Sequence, residues 1–256
     1  MSKVVVITGG SAGIGAAVAR QLVARGDRVV LAARDGEKLN ALARELGSGA
    51  RAVVTDVTRR ADVERLREQA VAAFGHIDVW INNAGRGITR SVLDLTDDDV
   101  TDIFDVNVRS VLYGIQTAVP YFVNRGSGHL LNVSSFLARV PLASFRSVYS
   151  ASKAAVNSLT ANVRMDLAAA APGVHVSLVM PGVVTTDFAR NARGSTGVPG
   201  TPPPGGPMRP QTADEVASAI VRVIDHPVAE VYTNPASPEL ARRYYEDLGA
   251  FAPLNA

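Results

Sequence analysis

Short runs of β-branched and aliphatic residues recur along the chain with longer amphipathic stretches between them: VVVIT at 4–8, RVVLAA at 28–33, RAVVT at 51–55, DVWIN at 78–82, HLLNVS at 129–134, HVSLVM at 175–180 and EVYT at 230–233. These predict seven strands. The intervening segments, Gly13–Arg25, Gly36–Leu46, Arg59–Phe74, Asp97–Phe122 and Ser147–Ala171, are rich in Ala, Leu, Arg and Glu, with apolar residues at helical spacing. Strand and helix alternate, so each pair of strands is joined by a helical crossover. That requires a parallel sheet, and the almost wholly apolar strands fit burial on both of its faces. The expected fold is α/β, a doubly wound seven-stranded parallel sheet with helices on both sides.

One segment breaks the alternation. Asn191–Pro210, NARGSTGVPGTPPPGGPMRP, carries too much Gly and Pro for regular structure. A loop this long inside a compact domain is usually a lid or binding segment. A linker between domains is the alternative, but the residues that follow amount to a helix, a strand and a last helix, too few to bury a separate core. The whole span 1–256 is therefore expected to be a single domain, with a substrate lid at about 187–212.

Composition removes several classes of function. The net charge of +2 and the absence of a Lys/Arg stripe give nucleic acid no electrostatic footprint. The chain has no Cys, which excludes disulfides, thiolate catalysis and thiolate metal sites together. Its four His, at 76, 129, 175 and 226, are scattered, so no metal site is expected. No uncharged run approaches the roughly 20 residues of a membrane helix. The apolar start of MSKVVVITGG is too short for a signal peptide and runs straight into glycines. The expected location is cytoplasmic.

The first strand leads into Thr8-Gly9-Gly10-Ser11-Ala12-Gly13-Ile14-Gly15 and then a helix. Glycines there let the chain turn sharply and bring a helix N-terminus, with its unpaired N–H groups and positive dipole end, against a pyrophosphate. The spacing TGxxxGxG resembles that of the short-chain dehydrogenase/reductase family. Four further segments occur in that family's order: Asn82-Asn83-Ala84-Gly85 after the fourth strand, Asn107 within VNV, Tyr149-Ser150-Ala151-Ser152-Lys153 as YxxxK, and Pro181-Gly182-Val183-Val184-Thr185-Thr186 after the sixth strand. Together they cover most of Val4–Asp187. The resemblance implies a single-domain Rossmann fold and a nicotinamide cofactor held by Gly9, Ser11, Gly13, Ile14, Gly15, Asn83, Ala84, Gly85, Pro181, Gly182, Val184 and Thr186. It further implies Asp56 and Val57 at the adenine and Asn83 at the neighbouring ribose.

The end of the second strand bears on which cofactor is used. A carboxylate there would bind the NAD ribose and repel a 2′-phosphate. Here Ala33 occupies that place, and Arg34 follows with a guanidinium suited to phosphate, which points to NADP(H). Asp35 is the alternative, as a displaced ribose acceptor. Ala12 stands where some relatives carry a second basic residue.

Tyr149 and Lys153 are four residues apart and share one helix face. A free phenol titrates near 10, but an ammonium and a positive nicotinamide ring beside it would lower its pKa and make it a proton donor and acceptor for hydride transfer. Only three Lys occur, at 3, 38 and 153, against many Arg, so the Lys at 153 is not a generic surface charge. Lys153 is implied to hold the nicotinamide ribose as well. Ser134 and Ser135 end the fifth strand, and register with the family selects Ser135 to hydrogen-bond the substrate oxygen, with Ser134 as the alternative. Asn107 completes the implied tetrad by holding a water that connects Lys153 to solvent, although an Asn inside a helix can also stabilise a kink. A Ser–His hydrolase is excluded because no G-x-S-x-G elbow surrounds either Ser.

The function implied is an NADP(H)-dependent oxidoreductase that interconverts a carbonyl and a secondary alcohol on a small, largely apolar molecule. Phe136, Leu137, Val140, Leu142 and Phe145, with Phe188 and Met208 of the loop, are the expected pocket. A non-catalytic NADP(H) sensor is the alternative, opposed by the complete set Asn107, Ser135, Tyr149 and Lys153. An epimerase would need a larger C-terminal domain. The segment EVYTNPASPEL stands where some relatives carry a Gly-rich end that supports tetramers, which counts against a fatty-acid-synthesis reductase; the resemblance implies a homodimer, through the long helices near 97–122 and 147–171, or a homotetramer.

Overall fold

The computed structural model describes residues 2–194 and 208–248. In chain order the elements are β1 (Val4–Thr8), α1 (Gly13–Ala24), β2 (Arg28–Ala33), α2 (Gly36–Leu46), β3 (Ala50–Val54), α3 (Arg60–Phe74), β4 (Val79–Asn82), α4 (Asp97–Phe104), α5 (Ser110–Arg125), β5 (Gly128–Val133), α6 (Ser147–Ala170), β6 (Val174–Met180), β7 (Val184–Thr185), β8 (Gln211–Thr212), α7 (Ala213–Asp225), β9 (Glu230–Tyr232) and α8 (Ser237–Glu246). The main sheet has seven strands in the order β3-β2-β1-β4-β5-β6-β9, every pair parallel. It is the doubly wound Rossmann-type sheet expected from the alternating sequence. The strand order reverses between β1 and β4, and that crevice at the carboxyl ends is where such sheets hold ligands.

The alternation of side chains along each strand divides the core in two. On one face Val5, Ile7, Val29, Leu31 and Ile81 pack under α1 and α7, through Leu22, Val216 and Ile220 among others. On the opposite face Val6, Val30, Trp80, Leu130 and Leu178 pack under α3, α5 and α6, through Leu66, Phe122 and Val156. Because neither face is solvated, the strands have no polar side to show, which is why they read as continuous apolar runs.

Within that apolar second layer lies a polar relay. Trp80 Nε1 donates to Asn82 Oδ1 at 2.9 Å, Asn82 Nδ2 donates to Asn132 Oδ1 at 2.9 Å, and Asn132 Nδ2 donates to Thr160 Oγ1 at 2.9 Å. Asn82 and Asn132 are register partners on β4 and β5, so the relay spans two strands and reaches α6. Gly114 of α5 leaves room for it: a Cβ there would lie 2.1 Å from Asn82 Oδ1. Gly114→Ala is expected to cost about 3 kcal/mol, by overpacking and by breaking a buried amide pair. A denaturant midpoint no lower than that of the wild type would contradict this.

Two features depart from the sequence expectation. The helix expected over 97–122 is two helices, α4 and α5, joined by a π-helical turn at Asp105–Arg109, and it continues past Phe122 to Arg125. In addition, β7 and β8 form a two-residue parallel pair, Val184 with Gln211 and Thr185 with Thr212, outside the main sheet. Two residues carry no periodic signal, so neither strand is visible in the sequence. This pair ties together the two ends of the expected lid; positions 195–207 of that lid lie outside the described residues.

Candidate active site

The loop from β1 to α1 depends on close backbone approaches. Gly9 and Gly13 have φ of 66° and 53°, in the left-handed region that glycine tolerates. A Cβ on Gly15 would lie 2.4 Å from the Gly9 carbonyl oxygen and 2.8 Å from Asn83 Nδ2, so only glycine fits. The α1 N-cap, Ala12, supplies no side-chain hydrogen bond, so no side chain there occupies the first amides of the helix. The result is a cradle that suits a dinucleotide pyrophosphate. Ser11 and Ile14 lie in it half-buried.

The Asn83-Ala84-Gly85 segment is fastened to this cradle through Thr8. The backbone amides of Asn83 and Ala84 donate to Thr8 Oγ1 at 3.0 and 3.1 Å, and Asn83 Nδ2 donates to the Thr8 and Gly9 carbonyls at 2.9 and 3.2 Å. The Asn83 amide nitrogen therefore holds the loop together, leaving its carbonyl oxygen as the group able to face a ribose. On the other side, Thr186 rests against Gly13, where an added Cβ would be 3.5 Å from its methyl. Pro181 is buried, and Gly182 sits close to Asn234 and Met208. Val184 belongs to β7.

At the end of β2, Arg34 is exposed and Asp35 is the N-cap of α2. The Asp35 carboxylate accepts from Lys38 N at 3.1 Å and pairs with Lys38 Nζ at 3.3 Å. That capping commits it to its own helix, which argues against Asp35 as a ribose acceptor. Asp56 Oδ1 accepts from Thr58 N at 3.0 Å and Thr58 Oγ1 at 2.8 Å, and Val57 beside it is buried.

Tyr149 and Lys153 come one turn apart on α6, at 8% and 3% exposure. Lys153 Nζ donates to the Val133 carbonyl at 2.9 Å and lies 6.0 Å from the centre of the Tyr149 ring. Burial pushes its pKa down to about 8. Burial also raises that of Tyr149, opposed by hydrogen bonding with the Ser135 side chain and by the charge of Arg146. In the protein without cofactor the phenol pKa is thus raised rather than lowered, because burial outweighs the Ser135 hydrogen bond and the charge of Arg146; the expected lowering invoked the nicotinamide ring as well.

The two candidate serines separate clearly. Ser134 Oγ donates to Asn157 Oδ1 at 2.6 Å and the Lys153 carbonyl at 3.1 Å, so it anchors α6 to β5. Ser135 is the one directed at Tyr149. Asn107, fully buried in the π-turn, has a side chain wholly engaged with protein: Oδ1 accepts from Arg86 N at 2.8 Å, and Nδ2 donates to the Arg86 carbonyl at 2.9 Å and Ser152 Oγ at 3.0 Å. It thereby fixes the backbone at Gly85, where a Cβ would be 3.3 Å from Asn107 Oδ1 and 3.5 Å from Lys153 Nζ. A water relay from Lys153 would have to use the backbone of the turn, since the Asn107 amide is occupied.

The expected apolar pocket is largely something else. Phe136, Val140, Leu142 and Met208 are buried in a cluster with Leu240 and Ala241 of α8, which they join to the body of the protein. Phe145 is half-buried, and Leu137 lies between this cluster and the one around Tyr149. Phe188, exposed, meets the Tyr149 ring edge-on at 5.7 Å. Sequence reasoning overlooked Arg146, whose place three residues before Tyr149 at the start of α6 was the available signal. Among the described residues, no helix is long and apolar enough to cross a membrane.

The family model described as short chain dehydrogenase matches residues 3–196. An uncharacterised oxidoreductase of Staphylococcus epidermidis is 34% identical over 184 residues, 72% of this chain and 79% of the relative. Among solved structures, a short-chain dehydrogenase/reductase from Burkholderia phymatum in complex with NAD is 28% identical, with a TM-score of 0.87 over 100% of this chain and 98% of that one. An alcohol dehydrogenase from Thermococcus sibiricus complexed with 5-hydroxy-NADP is 26% identical, with a TM-score of 0.78 over 91% of this chain and 97% of that one.

Proposed function

The chain belongs to the short-chain dehydrogenase/reductase family of NAD(P)-dependent oxidoreductases, and from that premise we propose that it interconverts a carbonyl and a secondary alcohol on a small molecule, with NADP(H) preferred and Tyr149 as the proton-transfer group. The observation that carries this reading is the meeting of Ser135, Tyr149 and Lys153 beside the glycine cradle, at the carboxyl edge of the sheet. When bound, the nicotinamide supplies or accepts the hydride. Tyr149 Oη gives a proton to the carbonyl oxygen in reduction and takes it back in oxidation, and Ser135 Oγ donates a hydrogen bond to the same oxygen.

Lys153 holds the ribose hydroxyls and places a positive charge near the phenol. Asn107 positions both through the Gly85–Arg86 backbone it grips. The cradle glycines, Ser11, Ile14, Asp56, Val57, Asn83 and the 181–186 segment hold the remainder of the cofactor. The expected lid at 187–212 belongs to the same reading, with its positions 195–207 outside the described residues. Assembly into a homodimer or homotetramer and a cytoplasmic location belong to the same reading.

The test is a panel of ketones and secondary alcohols assayed with NADPH, NADH and their oxidised forms by nicotinamide absorbance. Tight NADPH binding with no hydride transfer to any of them would favour a sensor.

The cofactor preference rests on Arg34, exposed at the end of β2 with Asp35 turned to capping α2. NADPH is expected to bind at least tenfold more tightly than NADH, about 1.4 kcal/mol, and Arg34→Ala to bring the two within about threefold. Equal affinities in the wild type, measured by nicotinamide fluorescence, would refute it.

A further inference from the structure

We propose that Arg146 determines specificity by receiving a carboxylate of the substrate, so that the compounds handled at Tyr149 are short oxo and hydroxy acids. This rests on the oxidoreductase reading and narrows its substrate from a largely apolar molecule to one with an anionic end. Four arginines lie in or against the 86–90 segment, and three of them share the carboxylates of Asp99 and Asp102. Arg86 pairs with Asp102 at 2.7 Å, Arg90 with Asp99 at 2.5 Å, and Arg193 with Asp99. Arg146, half-buried, has no carboxylate within 4.0 Å among the described residues. The ionisable group that acts on it is Tyr149, and burial pushes its pKa down. A guanidinium drawn out of water without a counter-charge is costly, and an arriving carboxylate would relieve that cost.

Its position suits the task. Arg146 is the N-cap of α6, three residues before Tyr149, and its charge acts on the phenol. One guanidinium nitrogen, Nη1, donates to the Ile88 carbonyl at 3.0 Å, which fixes the group and leaves further N–H donors for a bidentate carboxylate. A Cβ on Gly87 would fall 3.1 Å from Arg146 Nη1 and 2.9 Å from Phe188 Cε1, and the Phe188 ring in turn meets Tyr149. The cation, the aromatic edge and the phenol thus border one small region. A molecule with its carbonyl oxygen at Tyr149 and a carboxylate one to three carbons away fits these three groups.

The experiment compares 2-oxobutanoate, 3-oxobutanoate and 4-oxopentanoate, each beside its methyl ester, with NADPH. The wild type is expected to prefer at least one acid to its ester by tenfold or more in kcat/KM. Arg146→Gln should abolish that preference, raising KM for the acid at least tenfold more than KM for its ester, and Arg146→Lys should keep part of it. A merely structural role would lower acid and ester alike. That result, or a wild type that reduces esters as readily as acids, overturns the proposal while the oxidoreductase reading stands. If no compound is turned over, the oxidoreductase reading is what fails, and calorimetric titration with malonate decides the anion site. Binding at least tenfold weaker in Arg146→Gln supports it; equal or undetectable binding in both proteins overturns it.

Discussion

Tyr149→Phe is expected to lower kcat by about 10²–10⁴-fold while NADPH affinity stays within about twofold. The substitution deletes the hydroxyl and little else: the ring keeps its place in the cluster with Ile88, Ile103 and Val148 and its edge contact with Phe188. Because burial raises the pKa of Tyr149, the neutral phenol is the resting form, which is the form that donates a proton to a carbonyl. Reduction should therefore hold its rate through neutral pH and fall as the phenol ionises. Oxidation, which needs a proton acceptor, should rise with pH over the same range. Retention of substantial turnover by Tyr149→Phe on any compound the wild type accepts would move the proton-transfer group elsewhere.

Lys153→Met should cost at least a hundredfold in turnover and weaken cofactor binding, yet make the cofactor-free protein more stable. Burial holds Lys153 near 8, below the 10.5 of a free lysine. Below about pH 8 the ammonium is charged in both folded and unfolded chains, and the fold bears the full desolvation penalty. As pH climbs from 8 towards 10.5 the unfolded chain still binds the proton that the folded chain has released, so stability rises. Replacing the ammonium by a thioether of similar length removes the penalty at neutral pH, a gain of about 1–3 kcal/mol offset in part by the lost bond to the Val133 carbonyl. Melting of the two proteins without cofactor at pH 7 measures it. A Lys153→Met protein that melts lower would mean that the ammonium stabilises the fold. Lys153→Arg keeps the charge but brings a wider head group against Gly85, and is expected to restore little activity.

The sheet and the site were legible to different depths. Strands such as Val4–Thr8 and Arg28–Ala33 declare themselves because burial on both faces leaves their interiors wholly apolar, and Gly36–Leu46 because its apolar residues recur at helical spacing. The residues of the site were legible through spacing, since TGxxxGxG and YxxxK record close backbone approaches and a single helical turn. What escaped was whatever depends on contacts between distant segments. Phe136 and Met208 read as pocket, but their partners Leu240 and Ala241 are on α8, far along the chain from Phe136 and outside the reach of any periodicity. The direction of the Tyr149 pKa depended on burial, which a one-turn spacing does not reveal. Arg146 looked like one arginine among many until the acids that neutralise its neighbours were located.

The π-turn at Asp105–Arg109 has a consequence for how this chain can change over time. A π-turn is an α-helix carrying one extra residue, and here the extra residue lets Asn107 turn inward to Arg86 while α5 keeps its own register. Losing a single residue from 105–109 would turn this stretch into ordinary α-helix, leave α5 in its register and remove the inward turn of Asn107. Gly114 would stay against Asn82 and Phe122 in the core, while the Arg86 backbone would lose its Asn107 partner. A one-residue deletion between α4 and α5 would thus spare the packing of the far end and damage the site, so it is the grip of Asn107 on Arg86 that holds this helix to its present length.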